Sequence, residues 1–138
     1  MHKQEKTLPV DYSNVSINNG FWRNKQDMVS EKTIYAVLES FRKTGRFDAF
    51  KFEWKEGQPN KPHIYWDSDV AKWIESAAYI LAKKKDSVLE SVIDEIVDLI
   101  EKHQDPSGYF NIYFILIEPE AKWTRRGDHE LYTAGHLI

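Results

Sequence analysis

Two histidines, His129 and His136, stand seven residues apart near the end of the 138-residue sequence. On a helix they share a face, but about 10 Å of rise separates them, and zinc holds its ligand atoms at about 2 Å. One ion does not readily bridge such a pair. At the first turn of a helix His129 could instead donate a ring N–H to a ligand hydroxyl, or simply pack or cap. His136, a turn or two deeper, reads as a satisfied core residue. Cleavage of a glycosidic bond needs two carboxyl groups facing one bond. Asp67, Asp69, Glu75 and Glu130 are the carboxylates nearest helix starts and apolar surfaces, yet their spacing marks no acid/base pair, and helix capping accounts for Asp67 and Asp69. No Gly-rich phosphate loop, nucleophile elbow or metal-binding helix motif occurs. The absence of cysteine excludes disulfides and thiolate metal sites within this segment.

The element that must position these groups runs from Tyr65 to Ala82. Asp67, Ser68 and Asp69 offer short side-chain oxygens as N-caps and place negative charge at the positive end of the helix dipole. Val70, Trp73, Ile74, Ala77, Ala78 and Leu81 recur at three- and four-residue steps, and Tyr79 and Ile80 widen the apolar surface. A helix this apolar is expected to be buried against several partners. Upstream, Met1 to Thr7 is polar, as frayed termini are, and Val10 to Ile17 reads as a short extended segment. Asn18-Asn19-Gly20 is a turn signal, and Phe21-Trp22 need a pocket. A helix is expected from about Arg23 to Thr44, with Ile34, Val37, Leu38 and Phe41 as its stripe and Gly45 as C-terminal cap. Gly45 to His63 is a long connection carrying Phe47, Phe50, Phe52 and Trp54; its rings argue against disorder.

Lys83, Lys84 and Lys85 read as a solvated helix end. Ser87 to Glu90 is a capping box opening an amphipathic helix to about Gln104, joined closely enough to its predecessor that the two should pack antiparallel. Asp105 to Gly108 stops it. Tyr109 to Ile117, aromatic and β-branched, reads as a strand or a packed extended loop, and Ile112–Ile117 would be an aggregation hazard if exposed. Asp128 is the expected N-cap of a last helix, His129 to Ile138, whose pattern is still running at the final residue. The chain is therefore expected to be cut inside a larger fold.

Composition narrows the partners. Net charge is −3 with both signs interspersed, so no basic block marks a nucleic-acid surface. No run approaches the roughly 20 apolar residues that span a bilayer, and Met1 to Val10 lacks the apolar core of a signal peptide. The expected setting is the cytoplasm, with no membrane partner. Five tryptophans and 14% aromatics fit a bulky core or a ring-lined pocket.

Several blocks in order, Val15-Ser-Ile-Asn-Asn-Gly-Phe-Trp22, Thr44-Gly-Arg-Phe-Asp48, Trp66-Asp-Ser-Asp-Val-Ala-Lys-Trp-Ile-Glu75, Gly108-Tyr-Phe-Asn111, Glu118-Pro119 with Trp123-Thr124, and His129-Glu-Leu-Tyr with Ala134-Gly-His-Leu-Ile138, together resemble the N-terminal part of glycoside hydrolase family 127, the β-L-arabinofuranosidases. The resemblance implies a mainly α fold over 1–138: the first few helices of an (α/α)6 barrel with a short extended N-terminal segment. It implies a retaining hydrolase acting on terminal β-L-arabinofuranosyl groups, with a zinc-bound cysteine nucleophile and a glutamate acid/base that both lie downstream of Ile138. No catalytic residue, metal ligand or cofactor is thus assigned to this segment, and zinc is expected in a full-length member. By the same resemblance His129 is a substrate-binding residue contacting the sugar. Two departures stand out: the segment before His129 is about one residue short, and Ile112–Ile117 is unusually apolar. The expected partner is a carbohydrate in a full-length context, with self-association through exposed apolar faces as a second expectation. A non-catalytic helical interaction module and another (α/α)6 carbohydrate enzyme are the alternative readings.

Overall fold

The computed structural model describes residues 7–138, so the expectation for Met1 to Thr7 falls almost wholly outside the described residues. Among the described residues the regular elements are all helical. They are α1 (Gly20–Met28), a π turn (Val29–Thr33), α2 (Ile34–Lys43), α3 (Arg46–Ala49), α4 (Trp66–Leu81), α5 (Ser87–His103), α6 (Ile112–Leu116) and α7 (Glu130–Leu137), with short 3-10 turns at Tyr12–Asn14, Pro119–Ala121 and Arg126–Asp128.

The apolar helix α4 is the hub. It packs against α2, α3, α5 and α7, as its nearly continuous apolar surface requires. Val70, Ala71, Trp73 and Ala77 are buried along it, meeting Ile34 and Leu38 of α2, Phe47 of α3, and Leu89, Val92 and Ile96 of α5 in one core. Trp73 donates its indole N–H to the Ile34 carbonyl at 3.0 Å and sets its ring edge-on to Phe47.

The helix expected from Arg23 to Thr44 begins three residues earlier and is not uniform. Five residues of π turn separate α1 from α2, an insertion that periodicity does not announce. Gly45 ends α2 as expected. Its φ of 78° is left-handed, and a Cβ there would lie 2.8 Å from the Asn60 Cβ, so glycine serves both the turn and the close approach of the returning loop. That loop is ordered by its rings: Phe47 and Phe50 are buried, and Phe50 stacks on Phe110.

Four local expectations are corrected. The N-terminal stretch Val10 to Ile17 is extended at Val15 but broken by a 3-10 turn at Tyr12–Asn14. Phe21 and Trp22 are not buried; they stay 64% and 69% exposed and pack edge-on against each other, with Trp22 on the wall of an open cleft. Lys83 is not merely solvated: it donates to the carbonyls of Ser13 and Val15 and lies over the Tyr12 ring, tying the N-terminal strap to the end of α4. Tyr109 to Ile117 is no strand. Asn111 accepts from the Phe114 N–H and caps α6, and burial of Ile112 and Phe114 removes the feared exposed edge.

The capping box expected at Ser87 to Glu90 does not form; the N-cap of α5 lies one residue earlier. Asp86, not Ser87, is the N-cap; its carboxylate accepts from the N–H groups of Val88 and Leu89 and from the Tyr35 phenol of α2. The Tyr35 bond holds the Asp86 carboxyl below its usual range, and Asp86 in turn pushes the phenol up to about 12. Asp86→Ala is expected to cost about 1–2 kcal/mol, read from chemical unfolding at pH 7. For a carboxyl held low in the fold, the contribution is present above the unfolded pKa and lost as pH falls through the folded one. The penalty should therefore shrink towards pH 3.

Candidate functional site on the face of α4 and α7

α4 and α7 make the most extensive helix pairing among the described elements, and the sequence-predicted groups gather at their starts. His129 stands at the N-cap position of α7 in a left-handed conformation, φ 60°, and caps nothing with its ring. Asp128, the expected cap, closes a 3-10 turn instead and pairs with Arg125 at 2.6 Å. The exposed His129 ring lies edge-on to Tyr65 at 5.2 Å and to Tyr132 at 5.8 Å, and Tyr132 in turn meets His136 at 4.6 Å. His63 flanks Tyr65, and the Lys72 ammonium sits over Tyr132. His136 is thus a half-buried member of this row and not a core residue. Together these residues present ring faces, imidazole nitrogens and one ammonium to solvent, groups suited to a ligand rich in hydroxyls.

Beneath the row lie the carboxylates. Asp67 is fully buried and accepts from the Ile112 N–H at 3.1 Å, so capping does not explain it; Tyr65 occupies the N-cap position of α4 with no side-chain cap. Burial raises the Asp67 carboxyl to about 7 against the smaller opposing effect of that hydrogen bond. Glu130 is 6% exposed and accepts from the Tyr109 phenol and the Trp123 N–H. Burial and the Glu130 carboxylate together drive the Tyr109 phenol far above its ordinary range. Asp69 does reach the surface, but pairs with Lys72 at 3.3 Å and Arg46 at 3.5 Å. Glu75 is exposed on the same helix, away from these contacts. Asp67, Asp69 and Glu130 therefore hold the local structure, and nothing in the placement of the four carboxylates makes an acid/base pair.

Sequence reasoning missed Tyr65, Tyr109, Asn111 and Tyr132. Asn111 had a signal, an Asn directly before an apolar run, which is where an N-cap belongs. The tyrosines had none, since their contacts join segments far apart in the chain. Among the described residues no three His, Asp or Glu side chains converge as metal ligands, and the chain has no cysteine. The described residues offer no ligand set that fits a resident zinc. A separate cleft of about 740 Å³, between the N-terminal strap, α1 and the last turns of α4, contains none of the sequence-predicted groups. No described helix is long and apolar enough to cross a membrane.

The helical array thus carries a row of histidine and tyrosine rings on the face of α4 and α7. Residues 14–138 match the β-L-arabinofuranosidase, GH127 catalytic-domain family, and the chain belongs to that family. It is 37% identical over 82 residues to a non-reducing end β-L-arabinofuranosidase of Bifidobacterium longum subsp. longum, covering 54% of this chain and 12% of that protein. Its fold is similar to the crystal structure of a GH127 β-L-arabinofuranosidase from Geobacillus stearothermophilus T6, with a TM-score of 0.80 and 34% identity over 90% of this chain. A second GH127 β-arabinofuranosidase structure matches with a TM-score of 0.79 and 26% identity over 94% of this chain. The chain spans 21% and 22% of those two structures. The mainly α, partial-barrel fold expected of the sequence is the fold it has.

Proposed function

We propose that this chain is the N-terminal helical segment of a retaining glycoside hydrolase that releases terminal β-L-arabinofuranosyl groups. In this reading the segment supplies part of a barrel wall and the sugar-contacting His129, while the nucleophile, the acid/base and the zinc site belong to residues beyond it. The observation that carries it is the exposed Tyr65–His129–Tyr132–His136 row within the family match. Such rings and nitrogens bind a sugar but have no partner group here to cleave its bond. The 138-residue chain is expected to give no turnover of an aryl β-L-arabinofuranoside, with or without added zinc. Turnover that needs no zinc would overturn the proposal.

A second reading is a non-catalytic helical module that binds a partner chain or itself. It is favoured by the exposure of Leu131 at 78%, Trp22 at 69% and Tyr79 at 50%, apolar surface that an occupant would take out of water. Size-exclusion chromatography across a concentration series separates the two. A clean monomer at all concentrations counts against self-association.

A further inference from the structure

Two non-glycine residues of the loop before α7 hold left-handed backbone: Trp123 at φ 61° and His129 at φ 60°. Such conformations are uncommon for bulky side chains and persist only where the surroundings over-determine them. One side chain spans both. Glu130 follows His129 directly, is almost fully buried, and takes the Trp123 N–H on one carboxylate oxygen at 2.7 Å. The other oxygen takes the phenol of Tyr109, whose ring also lies edge-on to the Trp123 indole at 5.2 Å. Tyr109 comes from the turn after α5, so the two bonds close loop 123–129 on itself and pin it to the body of the fold. The residue held at the exit of that closed loop is His129, with its ring against Tyr65 and Tyr132. Arg125 braces the loop from outside, pairing with Glu118 and Asp128. None of these bonds leaves a Glu130 oxygen directed at the exposed row.

We propose that Glu130 is a positioning residue: its carboxylate clips the two left-handed ends of loop 123–129 together and so fixes the His129 ring beside Tyr65 and Tyr132. The importance of that ring for sugar binding rests on the function proposed above; the clip itself does not. It needs a hydrogen-bonding group at both oxygen positions, an acceptor for the Trp123 N–H and a partner for the Tyr109 hydroxyl, not a negative charge. Gln can still accept the Trp123 N–H through its carbonyl and donate its amide to the Tyr109 oxygen, whereas Ala can do neither.

The test is nuclear magnetic resonance on the 138-residue chain. The readouts are the ring contacts of His129 with Tyr65 and Tyr132 and the Hα and Cα shifts that report its left-handed backbone. Contacts between Phe50 and Phe110 report the core. In Glu130→Ala the His129 contacts and the left-handed signature are expected to vanish while the core contacts stay. Glu130→Gln should restore both to within about twofold of the wild-type intensity. Tyr109→Phe removes one donor without opening a large cavity, and should at least halve the His129 contacts. This variant decides the matter should Glu130→Ala fail to fold. Undiminished His129 contacts in Tyr109→Phe, or in a folded Glu130→Ala, would overturn the proposal, as would a Gln variant no better than Ala. A parallel titration with methyl β-L-arabinofuranoside, followed at the His129 ring, reports on the sugar reading alone. Silence there with an intact clip removes the ligand and leaves the positioning role standing.

Discussion

Asp67→Asn is expected to stabilise the protein at pH 8 by an amount on the order of a few kcal/mol, and to have almost no effect near pH 4. Asp67 is fully buried at the first turn of α4 with a single backbone donor, the Ile112 N–H, and no cation beside it. Its carboxyl holds its proton to about pH 7 in the fold, whereas an unfolded chain releases it near pH 4. Between those values the folded state binds more protons than the unfolded one, so stability falls as pH rises through the window, by up to about 1.4 kcal/mol per pH unit. Below about pH 4 both states are protonated and the burden is gone. Asn cannot ionise, keeps an oxygen for the Ile112 N–H, and puts an amide where the protonated acid has its hydroxyl. Urea unfolding of both proteins at pH 4.5 and pH 8 checks this. A gain of equal size at the two pH values would mean that the buried charge is not its source.

Trp73→Ala should cost about 3–5 kcal/mol, a large part of the 5–15 kcal/mol that a domain of this kind commonly has. Trp73 is 4% exposed and joins three elements at once, as a residue of α4 edge-on to Phe47 of α3 and bonded to the first carbonyl of α2. Trp73→Phe divides the loss. It keeps most of the packing but leaves the Ile34 carbonyl without its indole donor, for an expected cost of about 1–3 kcal/mol. Denaturation midpoints of the two variants report the division. An alanine variant within about 1 kcal/mol of wild type would mean that α4 is not the element on which the others depend.

The burial of α4, the reach of α5 and the glycine after α2 were legible because each rests on chemistry within a few residues: apolar spacing, a flanking cap, a left-handed position. What was illegible depends on distant partners. A carboxylate in a helix's first turn looks like a cap, and only the fold shows that Asp67 turns inward to an N–H 45 residues away. Ser87 looked like the cap of α5 because the box motif is satisfied there, but Asp86 reaches both N–H groups and Tyr35 as well. The run Ile112–Leu116 has strand-like residue types, and burial against the core together with the Asn111 cap overrides that preference. In the candidate site the resemblance singled out His129, whose exposure beside two tyrosines is visible only in three dimensions. That histidine tolerates positive φ better than most residues is the one local hint of its conformation.

The π turn at Val29–Thr33 has a bearing on how this segment tolerates insertions and deletions. Each α-helical residue advances the chain by about 100° around the axis, and the wider turn absorbs one extra residue within the same rotation, so rewinding these same residues as ordinary α-helix would swing all of α1 by that angle relative to α2. Gln26 would turn away from the Tyr12 hydroxyl and Arg23 from the Ile17 carbonyl, the bonds by which α1 meets the N-terminal strap. The wide turn therefore works as a phase corrector between two halves of one long rod, each keyed to a different neighbour. A single-codon deletion within it should close the wide turn into ordinary α-helix and leave both the strap contacts of α1 and the register of α2 against α4 in place, whereas a single-codon insertion there should swing α1 away from the strap.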